Sequence, residues 1–368
     1  MDKTNRYGVV TEETIDIGHA TDAYFVRTED ALDEAGRNPK VVAEVTADQF
    51  STGQEEIFVG VENVIELLTN VSVDMYALPE GSRFDGGPVM RIEGNYRDFA
   101  RYETALLGML SEPSGYATKA RELATASREL ELLSFGSRHN HPATAAILER
   151  AAYIGGVDGY SNLAAQDDVP VEPSGTMPHA LMLSMQETEA AWNAYNDAFE
   201  DDVPRIVLAD TFTDEVEEAK RACRVLEDDL DGIRLDTTSS RRGDFKSIIK
   251  EVRYELDAIG RDDVDIYVSG GLGVREIRNL RRVVDGFGVG SAISDAPSVD
   301  FGLDIVQVNG NNISKRGKLP GVKETDGFEQ FIDDGIPVNS TNLLAARHRA
   351  EYGNRDDLSE WVEEEGMF

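Results

Sequence analysis

Asp265-Ile266-Tyr267-Val268-Ser269-Gly270-Gly271-Leu272 is a short apolar run that closes on a Ser-Gly-Gly turn. A run of that length bounded by glycine reads as a buried strand, and the text after it, to about residue 284, has helical spacing. The same unit recurs on both sides. Residues 205–209 read as an apolar strand followed by a helix over 214–226, and 233–235 as a short strand followed by a helix over 244–259. Residues 286–289 end in a second glycine turn, Phe287-Gly288-Val289-Gly290-Ser291. Alternation of this kind with short loops predicts parallel strands, most simply a partial or complete α/β barrel.

Upstream, the first hundred residues predict short strands over 40–46, 71–77 and 89–93, with Pro79-Glu80-Gly81 and Asp85-Gly86-Gly87-Pro88 as breakers. Residues 97–110 read as a helix ending before Pro113, 119–134 have helical apolar spacing, and a helix over 143–154 begins just after Pro142. Downstream, 304–308 is strand-like and the last forty residues read as helical.

The 368 residues carry 70 Asp and Glu against 36 Lys and Arg, a formal charge of −34. The acids are spread along the chain, which predicts a solvated acidic surface adapted to high salt, where screening acts over a few ångströms. Nucleic acid and anionic membranes are excluded as partners, since both need a basic surface. There is no run of eighteen apolar residues, and the polar segment from Met1 to Asp16 argues against a secretory leader. One cysteine, Cys223, allows neither an internal disulfide nor a Cys-x-x-Cys zinc knuckle. A cytoplasmic enzyme is the expectation. An anionic substrate must then be held by a local basic cluster.

The glycine turns are the first candidates for that cluster. Ser269, Gly270 and Gly271, with Gly288, Gly290 and Ser291, offer backbone amides at strand–helix junctions, which is how barrels seat a phosphate; ordinary tight turns are the alternative. Arg234 and Asp236 end a short strand, and Arg241 and Arg242 follow. Arginine supplies planar donors for phosphate or carboxylate, and a strand-end aspartate can accept from ribose hydroxyls; solvated loop arginines are the alternative. Phe135-Gly136-Ser137-Arg138-His139, read as following a helix, sets an aromatic ring and a guanidinium three positions apart. Of five histidines, His179 alone opens a helix after a Gly-Thr turn and a proline, in Gly175-Thr176-Met177-Pro178-His179. His19, His139 and His141 lie in loop-like text and His348 in a charged tail helix. No histidine pair has metal-ligand spacing with a third ligand nearby, and no Gly-x-Ser-x-Gly elbow is present.

Taken in order, Thr21-Asp22-Ala23-Tyr24-Phe25, 135–138, Gly155-Gly156-Val157-Asp158-Gly159-Tyr160-Ser161-Asn162, 175–179, Leu208-Ala209-Asp210-Thr211-Phe212, 234–236, 269–271 and 288–291 resemble nicotinate phosphoribosyltransferases, particularly the shorter archaeal form. The resemblance spans about residues 15 to 320. It implies a type II phosphoribosyltransferase fold: an N-terminal α+β domain (1–115, joined by a returning segment at about 296–325), an irregular α/β barrel (116–295) and a helical acidic tail (326–368). It implies a homodimer or higher homo-oligomer with shared active sites. Tyr24 from the neighbouring subunit and Phe135 would then stack on the two faces of the pyridine ring, and Arg138 would meet the nicotinate carboxylate or the diphosphate. Asp210, Arg234 and Asp236 would contact ribose and diphosphate, the glycine turns would hold the 5-phosphate, and Ser161 and Asn162 would line the acceptor. His179 matches the histidine that ATP phosphorylates in the family. Substrates would be nicotinate and 5-phosphoribosyl 1-diphosphate (PRPP), with ATP as co-substrate and Mg²⁺ carried by the PRPP diphosphate.

Ser161 bears on the acceptor. The related nicotinamide enzymes have an aspartate near this position, and such a carboxylate about 5 Å from nicotinate would repel it by about 3 kcal/mol at an effective dielectric of 20. Serine removes that penalty. Two alternatives remain open. Quinolinate phosphoribosyltransferase shares the fold and a helix start like Ser114-Gly115-Tyr116-Ala117-Thr118, but its two-carboxylate substrate needs more cations, and His139-Asn140-His141 stands where lysine is expected. The other alternative is a non-catalytic phosphosugar-binding barrel.

Overall fold

A computed structural model describes residues 7–47, 55–200 and 203–353. It divides into two compact units, one of Met1–Arg121, Ile154–Gly156 and Ala296–Phe368, the other of Glu122–Tyr153 and Val157–Asp295. No helix among the described residues is long and apolar enough to cross a membrane.

The first unit is built on a seven-stranded antiparallel sheet in the order Asn311–Asn312, Phe301–Val308, Lys40–Ala47, Pro88–Asn95, Val73–Ala77, Glu329–Asp333, Ile336–Pro337. Val73–Ala77 alternates buried and half-buried side chains, the period of a sheet with one covered face. Lys40–Ala47 is buried almost throughout, as a central strand is. Val41, Val45, Met75, Met90 and Ile92 join Phe58, Phe84 and Phe301 in the core. Burying a large aliphatic or aromatic side chain contributes about 1.5–3 kcal/mol, so this cluster supplies the unit's cohesion.

Several sequence expectations need correction. The helix expected to stop before Pro113 runs from Glu103 to Ser127 with Pro113 inside it. Proline cannot donate to the carbonyl four residues earlier, and that carbonyl, of Met109, lies against Gly60, where a Cβ would come within 2.0 Å of its oxygen. Ser114–Thr118, read as a helix start, lies inside this helix. Residues 119–134 are not one helix. It ends at Ser127, Arg128 takes a left-handed φ of 66°, and Glu131–Ser134 is a buried strand; a short apolar run does not distinguish the two by periodicity. Phe135 therefore follows a strand. Glu329–Asp333 adds a strand to the first sheet where a helical tail was expected. The charged helix expected around His348 is present as Leu343–Tyr352, with Arg347 and His348 buried. Residues 354–368 of the expected tail lie outside the described residues.

The second unit carries the strand–helix rhythm. Its six strands are all parallel, in the order Gly159–Tyr160, Glu131–Ser134, Gly286–Val289, Asp265–Val268, Gly232–Leu235, Ile206–Leu208. Helices Glu215–Leu226, Phe245–Ala258 and Val274–Leu280 connect them, the first two capped by Asp214 and Asp244. Among the described residues the two edge strands do not pair with each other, so the sheet is an open half-barrel. At its N-terminal edge Asp158, Asp231 and Asp285 accept from the backbone N–H groups of Leu132, Arg205 and Ile266. Part of the acidic excess thus anchors strand starts.

Candidate active site

Parallel strands bring their C-terminal ends to one edge, and barrel chemistry collects there because the loops following the strands are free to vary. Asp210 follows the strand Ile206–Leu208 by two residues. One of its carboxylate oxygens lies 2.9 Å from His179 Nε2, and the other accepts from the backbone N–H of Asp236 at 2.5 Å. The Asp210 side chain is 1% exposed and that of His179 37%. A carboxylate only accepts, so His179 Nε2 carries the hydrogen, and in the neutral imidazole Nδ1 keeps its lone pair. The bond to Asp210 raises the His179 pKa above the ordinary imidazole value, against the opposing effect of burial, with further support from the charges of Asp210 and Asp236.

Arg234, on the strand Gly232–Leu235, is 9% exposed. It donates to Ser269 Oγ and to the Met177 carbonyl, both at 3.0 Å, and lies 3.6 Å from Asp236 Oδ2. Burial lowers its pKa, and Asp236 and Asp210 oppose that shift. The bond to Met177, with Met177 N–H donating to the Ile206 carbonyl at 3.3 Å, pins the segment that delivers His179 to Asp210. Arg234 also lies over the Phe135 ring, 5.8 Å from its centroid.

The two glycine turns differ. Gly270 and Gly271 have φ of 87° and 64°, which favour glycine, and a Cβ on Gly270 would fall 2.3 Å from Asp236 Oδ1. The amides of Gly270, Gly271 and Leu272 have no acceptor among the described residues, and Gly270 and Gly271 are exposed. Gly288, by contrast, is not in a turn but inside the strand Gly286–Val289. Its missing side chain makes room for the Phe135 ring. Gly290 packs on the Phe135 carbonyl and the His139 ring, and Ser291 opens the short helix Ser291–Ser294.

Arg138 lies on a 3₁₀ turn, Ser137–His139, exposed and with no ion pair among the described residues. Asn162 Nδ2 donates to Ser137 Oγ at 2.9 Å, joining the two loops, while Ser161 is exposed. Tyr24 belongs to the first unit, where it sits in the first turn of the helix Ala23–Glu34, 58% exposed. Direct contacts thus connect His179, Asp210, Asp236, Arg234, Ser269, Gly270, Phe135, Gly288 and Gly290. They do not extend to Arg138, Ser161, Gly271 or Tyr24.

Two supporting residues escape sequence reading. Arg242, first read as a ligand or a solvated loop residue, donates to the carbonyls of Thr237, Ser269 and Gly270, and so holds the loops after two strands together. Glu218 accepts from the backbone N–H groups of Thr211, Phe212 and Thr213 at 3.0, 2.8 and 2.8 Å, fixing the loop next to Asp210. No motif announces Glu218; only its place one turn after the Asp214 cap hints at it. Among the described residues no group of three or more His, Cys, Asp or Glu is arranged to hold a metal.

Comparison with known proteins places this arrangement. The chain matches the family model described as quinolinate phosphoribosyl transferase, N-terminal domain, over residues 22–114 and the corresponding C-terminal domain over 116–304. Nicotinate phosphoribosyltransferase pncB1 of Mycobacterium tuberculosis is 32% identical over 266 residues, 69% of this chain and 57% of that protein. The chain therefore spans little more than half the length of this curated relative. The crystal structure of nicotinate-nucleotide pyrophosphorylase from Pyrococcus furiosus superposes with a TM-score of 0.91 at 40% identity, covering 96% of this chain and all of that one. Human nicotinic acid phosphoribosyltransferase, at 18% identity and a TM-score of 0.74 over 90% of this chain and 93% of its own, shares the fold. With both domain models matched in order and the half-barrel reproduced, the chain belongs to the type II phosphoribosyltransferase family.

Proposed function

We propose that the chain transfers the phosphoribosyl group of PRPP to nicotinate, giving nicotinate mononucleotide and diphosphate, a step of NAD biosynthesis. The observation that carries the reading is the Asp210 bridge between His179 and Asp236, beside Arg234 and Phe135 at the C-terminal edge of the half-barrel. Phe135 offers a flat apolar face for the pyridine ring, and the ring nitrogen attacks ribose C1 as the C1–O bond to diphosphate breaks. Asp236, partly exposed at the edge, accepts from ribose hydroxyls. The open amides at 270–272, and those at 290–291, receive the 5-phosphate. Catalysis is then chiefly positioning and stabilisation of the departing charge. Mg²⁺ enters with the PRPP diphosphate, because it prefers phosphate oxygens and water to an all-protein cage.

His179 is the site for phosphorylation by ATP in this reading. With Nε2–H held by Asp210, Nδ1 attacks the γ-phosphorus and ADP leaves. The family resemblance assigns Tyr24 to a neighbouring copy's site in a homodimer or larger assembly, and its exposure supports that role.

The quinolinate reading is favoured by the descriptions of the two domain models. Against it stands the use of the site's cations. Arg234 and Arg242 are committed to Met177, Thr237, Ser269 and Gly270, leaving Arg138 of these three for a substrate carboxylate. Arg241, also uncommitted among the described residues, follows the strand Gly232–Leu235, so Arg138 alone is carried on the loop that follows Phe135, which suits a mono-acid.

The test is diphosphate release from PRPP and Mg²⁺ in molar KCl, with nicotinate or quinolinate and with or without ATP. Release that depends on nicotinate and rises with ATP supports the proposal. Release with quinolinate and carbon dioxide, or none with either acid, overturns it.

A further inference from the structure

Glu149 is a fully buried carboxyl group that the chemistry above leaves unused. It sits on the helix Ala145–Gly155 at 0% exposure. The hydroxyls of Ser134 and Ser137 face it, though neither closes a hydrogen bond of ordinary geometry, and Tyr160 lies close enough to feel its charge. Ser134 and Tyr160 are register partners on adjacent parallel strands, and both hydroxyls are buried without a partner. Ser137 also accepts from Asn162. One acid thus underlies the ends of two strands and both loops that follow them, those bearing Phe135 and Arg138 and those bearing Ser161 and Asn162.

We propose that Glu149, acting through Ser134, Ser137 and Tyr160, is a positioning residue for the acceptor end of the site. The inference rests on the nicotinate reading and deepens it. A protonated carboxyl can donate to one hydroxyl while accepting from another, whereas a carboxylate only accepts and is costly to bury. Burial pushes the Glu149 carboxyl up to about 7, the two serine hydroxyls acting the other way, and no charged side chain among the described residues shifts it. Below that value the neutral acid can donate to one of the unpartnered hydroxyls and accept from another, which would tie the two loops together. Above it, a buried negative charge beside Ser134 and Ser137, in the segment that carries Phe135 and Arg138, loosens that segment and opposes an anionic acceptor.

The experiment measures KM for nicotinate and for PRPP from about pH 6 to 9 in wild type, Glu149→Gln and Glu149→Ala. Wild type should show nicotinate KM rising several-fold across that range with PRPP KM nearly flat. Glu149→Gln, a neutral isostere, should match wild type within about twofold at pH 6 and lose the rise. Glu149→Ala should raise nicotinate KM about tenfold or more at every pH. Nicotinate profiles shared by wild type and Glu149→Gln overturn the proposal, as does an unchanged nicotinate KM in a folded Glu149→Ala. If Glu149→Ala does not fold, the Glu149→Gln profile decides alone. A wild type inactive with nicotinate sinks the proposed function together with this one, whereas an active wild type with unaltered variants sinks this inference only.

Discussion

A Cβ on Gly288 would lie 2.2 Å from Cε2 of Phe135, so the aromatic face of the site exists because one strand residue has no side chain. Gly288→Ala should therefore displace the ring. Overpacking of this kind costs about 1–3 kcal/mol, and loss of the stacking face should raise nicotinate KM about tenfold. Denaturant titration and steady-state kinetics check both effects. Combining it with Phe135→Leu should recover stability without recovering KM, because only the steric conflict is relieved.

Asp210 controls the charge of His179. Replacing it by Asn removes the charge-assisted hydrogen bond that chiefly raises the histidine pKa, so that pKa should fall in a histidine NMR titration. Any stability the His179–Asp210 pair contributes is fully present below the unfolded histidine pKa of about 6.5 and is lost as pH rises through the elevated folded value. Asp210→Asn should accordingly be destabilising at pH 6 and less so at pH 9. The ATP-stimulated rate should fall on the order of a hundredfold. A histidine titration unchanged by the substitution contradicts this.

The Glu218 clamp should be among the most sensitive positions of the half-barrel. Glu218→Ala strands three backbone donors, and each charge-assisted bond lost is worth about 1.5–3 kcal/mol in such a setting. A loss of at least about 3 kcal/mol is expected by urea titration, with Glu218→Gln milder. A neutral result for Glu218→Ala contradicts the clamp.

Ser161→Asp should weaken nicotinate by about a hundredfold if this position faces the acceptor carboxylate, following the repulsion of about 3 kcal/mol noted above. Nicotinamide, which has no charge there, should be spared. Equal effects on the two acceptors mean that Ser161 does not face that group.

Much of the half-barrel was legible because Ile206–Leu208, Gly232–Leu235, Asp265–Val268 and Gly286–Val289 are apolar runs closed by glycine or aspartate and separated by amphipathic helices. Glu131–Ser134 was hidden, since four residues attached to a long helix carry no period of their own. Glu329–Asp333 was missed because it is paired across 250 residues of sequence with Val73–Ala77, a partnership invisible to local patterning. In the site, the residue types at strand ends were readable and their division of labour was not. Gly288 read as a phosphate turn and makes room for a ring, Arg242 read as a ligand and braces loops, and Glu149 and Glu218 act through burial, which only packing reveals.

The most direct trial is a crystal structure of the enzyme with nicotinate mononucleotide. The pyridine ring should lie on Phe135 with its carboxylate toward Arg138, the ribose should reach Asp236, and the phosphate should meet the amides of 270–272 and 290–291. A nucleotide bound away from the edge that carries His179, Asp210 and Arg234, or a ring that avoids Phe135, contradicts the assignment.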